Sequence, residues 1–265
     1  MSARGAAHPP PARAGATSGP RRSAWPAARA AAFAGGLAAL LVALSPPFDA
    51  RADARLSAHM VQHLLLTLVA APLLVAGAPV ALVLRALPRR AARALMRALR
   101  SPAGRLLTHP LVCWSLLPSL MLATHLTGAY EYALRHPLAH ATEHAAYLSA
   151  ALLFWLPVLD DGAPLPHRLG AVGRLLYLLL AMPAMAAPGV VLSIEDHVRY
   201  PSYGSGAAAL ADQHVAGAIM WVAGSIVAGA LTVVAAWLAL EQEERRAVAR
   251  EARHADARSL AGGAS

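Results

Sequence analysis

The sequence predicts an all-α membrane protein, a polytopic helix bundle of about six transmembrane helices with both termini in the cytoplasm. Three observations carry that prediction. The 265-residue chain is 57% hydrophobic and only 14% charged, where a soluble domain carries about a quarter charged residues, and its mean hydropathy is +0.48. Its apolar residues gather into six runs long enough for a hydrocarbon core of about 30 Å, which takes roughly 20 residues per helix. Its arginines fall on alternate sides of those runs.

The six runs extend from Trp25 to Leu44, Leu56 to Val80, Leu111 to Thr127, Leu138 to Val158, Val172 to Ile194 and Ala207 to Leu240. The last is long enough to tilt or to project into the cytoplasm. Pro183 and Pro188 should kink the fifth, which membrane helices tolerate when neighbours satisfy the freed carbonyls. All 23 basic residues are arginine. Nineteen lie in the N-terminal segment, the second gap, the fourth gap and the C-terminal tail; Arg51, Arg55, Arg135 and Arg199 alone lie on the other side. The positive-inside rule then places both termini in the cytoplasm, of a bacterial inner (plasma) membrane.

Residues 1–24, rich in Ala, Gly, Pro and Arg without a period, are expected to be a disordered cytoplasmic tail. Arg21 and Arg22 before an apolar run also resemble a signal peptide, but the run continues without a clear cleavage site, which favours an uncleaved first span. Residues 25–243 form the transmembrane domain and 244–265 a cytoplasmic tail. Within the domain, residues 85–107 alternate arginine with Ala, Leu and Met. They read either as an amphipathic helix on anionic lipid or as a basic loop that only sets topology. The sequence pI of about 10.9 does not point to nucleic acid, because no basic stretch is interleaved with the aromatics or groove-reading motif such binding uses. Cys113, the single cysteine, excludes an intrachain disulfide and a C-x-x-C motif, and reads as a small buried apolar residue.

Chemistry concentrates in the 12 histidines. The second run opens with His59-Met60-Val61-Gln62-His63 and the fourth with His140-Ala141-Thr142-Glu143-His144. Each pair is spaced i, i+4, so both imidazoles of a pair lie on one helix face. The third run carries Met121 and His125, also four apart, and the sixth opens with Asp212, Gln213 and His214, with Met220 further on. At about 1.5 Å per residue these groups share one layer near the outer surface. A lone helical histidine is usually a hydrogen-bonded core residue, but two matched pairs at one depth point to a shared metal or haem site, with His59, His63, His125, His140 and His144 as candidate ligands. Gln62, Glu143, Asp212, Gln213 and His214 read as groups that orient imidazoles or as plain interhelical hydrogen bonds. His136 and His197, in the outer loops, could lead metal in. His8, His109, His167 and His254 are assigned no site. Imidazole suits copper, zinc and iron, and thioether selects cuprous copper. Met60, Met121 and Met220 lie near the layer, so copper is favoured and zinc stays open, although methionine is also a common packing residue.

The His59 to His63 element, followed by an apolar run ending Pro72-Leu73-Leu74 and Gly77-Ala78-Pro79, resembles the CtaG family of membrane-embedded cytochrome c oxidase assembly factors associated with caa-type oxidases. His140 to His144, Leu153-Phe154-Trp155 with Pro157, and Asp212-Gln213 with Gly217, Met220 and Trp221 extend the likeness over about residues 30 to 240. The resemblance implies a non-catalytic role in maturing the oxidase, foremost its copper centre, at the outer membrane face, with oxidase subunits and membrane lipid as partners. That family is pictured with seven spans, against the six read here. Two other readings compete. One is a haem-b electron carrier with bis-histidine ligation. The other is a zinc peptidase built on His140-x-x-Glu143-His144, whose counterpart carries Gln62, which cannot act as a base.

Overall fold

The computed structural model describes residues 25–159 and 166–262, all of whose regular elements are helical. The predicted tail 1–24, including His8, Arg21 and Arg22, lies outside the described residues, as do residues 263–265. All six apolar runs form helices. The first is α1 (Ala27–Ala43), followed by the short α2 (Pro46–Ala54). The second is α3 (Leu56–Leu64), which passes through a π turn (Leu65–Ala70) into α4 (Ala71–Ala76). Gly77 and the left-handed Ala78 (φ 53°) then end it ahead of Pro79. Helices α5 (Pro79–Ala86), α6 (Arg89–Arg100) and α7 (Pro102–Leu107) follow. The remaining runs are α8 (Pro110–Leu126) with the short α9 (Ala129–Arg135), α10 (Pro137–Leu159) and α11 (Ala171–Ile194). The last is α12 (Gly206–Ala218), continued by a π turn (Ile219–Ala223) into α13 (Gly224–Gly262).

Among the described residues, three helices are long and apolar enough to cross a membrane alone: Leu56–Ala76, Ala171–Ile194 and the helix beginning at Gly206. The number rises to five if α1 with α2, bent by 51°, and α8 with α9, bent by 75°, each count as one span. Helix α10 has the length, at 23 residues, but its first turns carry His140, Glu143 and His144. Helix α11 runs unbroken through Pro183 and Pro188. The basic stretch is helical over α6, with Arg90, Arg93, Arg97 and Arg100 along one surface concavity. Beyond residue 243 the chain continues as helix to Gly262.

The helices α3 and α4 are the centre of the bundle, packed against α1, α10 and α12, while α8 lies between α10 and α11. Two contacts are close because glycines make them. A Cβ on Gly36 of α1 would stand 2.8 Å from the Leu74 backbone nitrogen. Gly189 of α11 and Gly217 of α12 face each other, and a Cβ on Gly217 would meet the Gly189 carbonyl at 2.6 Å. Small residues let membrane helices approach in this way. One core surrounds Trp155, Phe154, Tyr147 and Leu117. Trp155 donates its indole N–H to the Thr67 carbonyl inside the first π turn, at 2.8 Å. A second core, nearer α2 and α9, joins Leu56, Met60, Tyr130, Leu192, Tyr200 and Met220. Large apolar side chains such as Leu41, Leu111, Val172, Ile226 and Trp237 face outward, as a bundle surrounded by lipid requires and a soluble one avoids.

Candidate metal centre

The start of α3 and the start of α10 meet at one end of the bundle, where α2, α9 and the loop of residues 195–205 also pack. His59 is the hub. Its Nε2 lies 3.1 Å from His63 Nε2, 3.2 Å from His144 Nε2 and 3.3 Å from His140 Nε2. His59 and His63 come from one face of α3, His140 and His144 from one face of α10, as i, i+4 spacing dictates. The rings meet edge to face, with centroids 4.6 Å apart for His59 and His63 and 4.3 Å for His140 and His144. Nitrogen donors of His59, His140 and His144 all fall within 4.8 Å of one another.

Hydrogen bonding alone does not account for this arrangement. A neutral imidazole has one N–H and one acceptor nitrogen, so a single Nε2 cannot be satisfied by three other nitrogens. On its other side, His59 Nδ1 sits 2.7 Å from the Tyr203 hydroxyl. Burial holds the Tyr203 phenol above its ordinary pKa, so it stays neutral and can accept from Nδ1–H. In the tautomer that carries its proton on Nδ1, the His59 Nε2 lone pair faces the other three rings, the arrangement seen in metal-ligating histidines. Ligands about 2.0 Å from a common ion in a tetrahedron stand roughly 3.3 Å apart, and the separations from His59 Nε2 match this; among the described residues the mutually close donor set is His59, His140 and His144, with His63 joined to it through His59.

His125 is not among these four. Its ring centroid is 6.4 Å from that of His63 and it stacks on Tyr130 at 5.2 Å. Its Nδ1–H donates to the Met121 carbonyl at 3.0 Å, and its buried Nε2 has no hydrogen-bond partner among the described residues. It borders the cluster with a free acceptor.

The groups expected to orient imidazoles do other work. Gln62 donates to the Ala43 carbonyl at 2.8 Å and to Asp49 at 3.1 Å, tying α3 to α1 and α2. Asp212 accepts from the Ser57 backbone N–H at 3.2 Å and the Ser57 hydroxyl at 2.5 Å, closing the start of α3. Gln213 accepts from the Arg199 N–H and donates to the His197 carbonyl, and His214 donates to the Glu195 carbonyl, so both hold the 195–205 loop. Glu143 is buried with both carboxyl oxygens unpartnered among the described residues. Gln62 and Glu143 adjoin the imidazoles on their own helices, three residues after the first histidine of each motif, but what packs behind each helix decides their bonding: α1 and α2 supply partners for the Gln62 amide N–H groups, and no described residue does so for Glu143. Met60 and Met220 pack into the second apolar core, and Met121 lies against both cores, contributing its carbonyl to His125.

Tyrosine is what the sequence reading missed. Tyr203 bonds His59, Tyr130 covers His59, His63 and His125, and Tyr147 packs on His63 with ring centroids 4.6 Å apart. The signal was available, since a chain with only six tyrosines places Tyr200 and Tyr203 in one loop.

The two helices present their histidines differently. His59 and His63 are buried, whereas His140 and His144 line an open cavity of about 700 Å³ with Asp49, Asp53 and Tyr203. Of the loop histidines, His136 stacks on Tyr132 and His197 pairs with Asp196. His109 and His167 meet each other, 4.9 Å between centroids.

Among curated proteins the chain is similar to uncharacterized proteins of Mycobacterium bovis and Mycobacterium tuberculosis, each 29% identical over 197 residues, and to one of Mycobacterium leprae, 28% identical over 200 residues. Each match covers 69% of this chain, and the chain spans about 30% of the length of those relatives. No solved structure matches it. The profile of the cytochrome c oxidase caa3 assembly factors (Caa3_CtaG) matches residues 12–242, and the chain belongs to that family.

Proposed function

We propose that the protein hands copper to a caa3-type cytochrome c oxidase during assembly, holding the ion at His59, His63, His140 and His144 on the periplasmic side of a bacterial inner membrane. The observation that carries this reading is the convergence of three imidazole nitrogens on His59 Nε2 at 3.1–3.3 Å. Copper is the cargo rather than a resident cofactor, in keeping with two histidines that face an open cavity. The aspartates at that cavity, Asp49 and Asp53, favour the approach of a cation. The topology expected from the sequence supports the periplasmic placement: with six spans, nineteen of the arginines would lie on the side opposite the histidine motifs, which the positive-inside rule makes the cytoplasmic one.

The alternatives fit less well. Nitrogens 3.2 Å apart across the two helices leave no slot for a porphyrin plane. The α3 element carries Gln62 where α10 carries Glu143, so only one of the two motifs has the carboxylate a zinc peptidase uses as base. A strain without the gene, grown under copper limitation, should retain the oxidase polypeptides but lose most oxidase activity, with copper supplementation restoring part of it. Normal activity in that strain would overturn the role.

A further inference from the structure

One helical turn past His63, the bundle encloses a small cavity of about 30 Å³. Its wall includes Met121 of α8, Met182 and Met185 of α11, and Met220 of the second π turn. The chain has seven methionines in all, and four of them, from three separate segments, face this space. Met182 and Met185 are i, i+3 on one helix face. The polar side chains at the wall are hydroxyls, Thr67 and Ser225. Thr67 spends its proton on the His63 carbonyl at 2.7 Å.

Methionine packed for its own sake fills irregular space; Met121, Met185 and Met220 do pack against the apolar cores, yet with Met182 they line space that is left open. A volume of this size accommodates one water or one ion. With no carboxylate at the wall, hard cations such as magnesium find no ligand set, while thioether sulfur is the donor that selects cuprous ion. Both flanking helices are also irregular at this level. Thr67 and Leu68 belong to the π turn Leu65–Ala70 and Met220 to the π turn Ile219–Ala223, a local geometry frequent at functional sites. The cavity adjoins the imidazole cluster along two helices, Thr67 being one turn from His63 and Met121 one turn from His125, about 6 Å along each axis.

The geometry points to a second station for a soft monovalent cation, Cu(I), formed by the sulfurs of Met121, Met182, Met185 and Met220 one helical turn inward from the imidazole cluster. The inference rests on copper being the cargo of that cluster. Together the two sites give the bundle an imidazole station at its surface and a thioether station beneath it, with His125 beside both.

The test uses the full-length protein in detergent, titrated anaerobically with Cu(I) against a chromophoric chelator, with X-ray absorption at the copper edge on the loaded samples. Wild type should take two equivalents and show both nitrogen and sulfur neighbours. Met182→Leu with Met185→Leu, a nearly volume-conserving change, should take one equivalent with the sulfur shell lost. Met121→Leu with Met220→Leu should do the same, which guards against misfolding of either pair. His59→Ala with His144→Ala should keep the sulfur-bound equivalent and lose the nitrogen-bound one. Absence of sulfur neighbours in wild type, or two equivalents retained in both methionine variants, overturns the thioether site. Loss confined to the methionine variants, with the histidine variant at two equivalents, would instead overturn the imidazole site.

Discussion

The two His-x-x-(Gln/Glu)-His elements are alike in spacing and unlike in setting. On α3, His59 and His63 are buried and the intervening Gln62 has its amide N–H groups bonded to Ala43 and Asp49. On α10, His140 and His144 face an open cavity and the intervening Glu143 has no partner for either carboxyl oxygen among the described residues. One element is a buried wall, bonded through Gln62 to α1 and α2; the other, on the proposed copper reading, is the side from which the ion would arrive or leave. The difference teaches that a repeated motif specifies which side chains converge, while the residue between them is decided by whatever helix packs behind it.

The largest way to break the comparison is to remove its shared hub. His59→Ala should abolish stoichiometric copper binding at the imidazole cluster, because three neighbouring nitrogens lose their common partner; metal analysis of the purified protein reads this directly. Next is Tyr203→Phe, which removes the hydrogen-bond partner of His59 Nδ1. Losing such an outer hydrogen bond weakens metal affinity about 10–100-fold, and a competitive Cu(I) titration should show that with the fold intact.

A matched pair of substitutions then sharpens the contrast between the motifs. Gln62→Leu forfeits two buried hydrogen bonds and should destabilise the protein by about 1–3 kcal/mol. Glu143→Leu removes a buried unpartnered carboxyl and should stabilise it by a similar amount, about 1–3 kcal/mol. Thermal unfolding in detergent compares the two, and shifts of the same sign would show that the motifs are equivalent after all. The smallest effect is expected at the edge of the wall. Asp212→Ala opens the start of α3 at Ser57 and should cost about 1 kcal/mol, as a lost helix cap does, without changing copper content.

Much of this architecture is legible in the sequence. Apolar run length gave the helices, because lipid leaves the backbone no other arrangement, and i, i+4 spacing put the histidines of each pair on one face. What could not be read is what distant segments bring. For Gln62 the sequence leaves an imidazole and an interhelical hydrogen bond equally open; the structure gives it Ala43 and Asp49 as partners, reached only when α1 and α2 fold back. Asp212 and Gln213 likewise serve Ser57, Arg199 and His197, none of which a local pattern identifies. Tyr203 reaches His59 across 144 positions of sequence. Met182 and Met185 carried no signal, since they lie on a helix without a histidine in the cluster. The π turns that distinguish α3 and α12 leave no periodicity to detect.

Copper content of the full-length protein, purified from copper-replete cells, tests the central claim most directly when wild type is set beside His59→Ala with His144→Ala. Convergence of four imidazoles on one ion predicts that the variant loses one equivalent of copper while its helicity and elution volume stay those of wild type. Equal copper in the two proteins would contradict it.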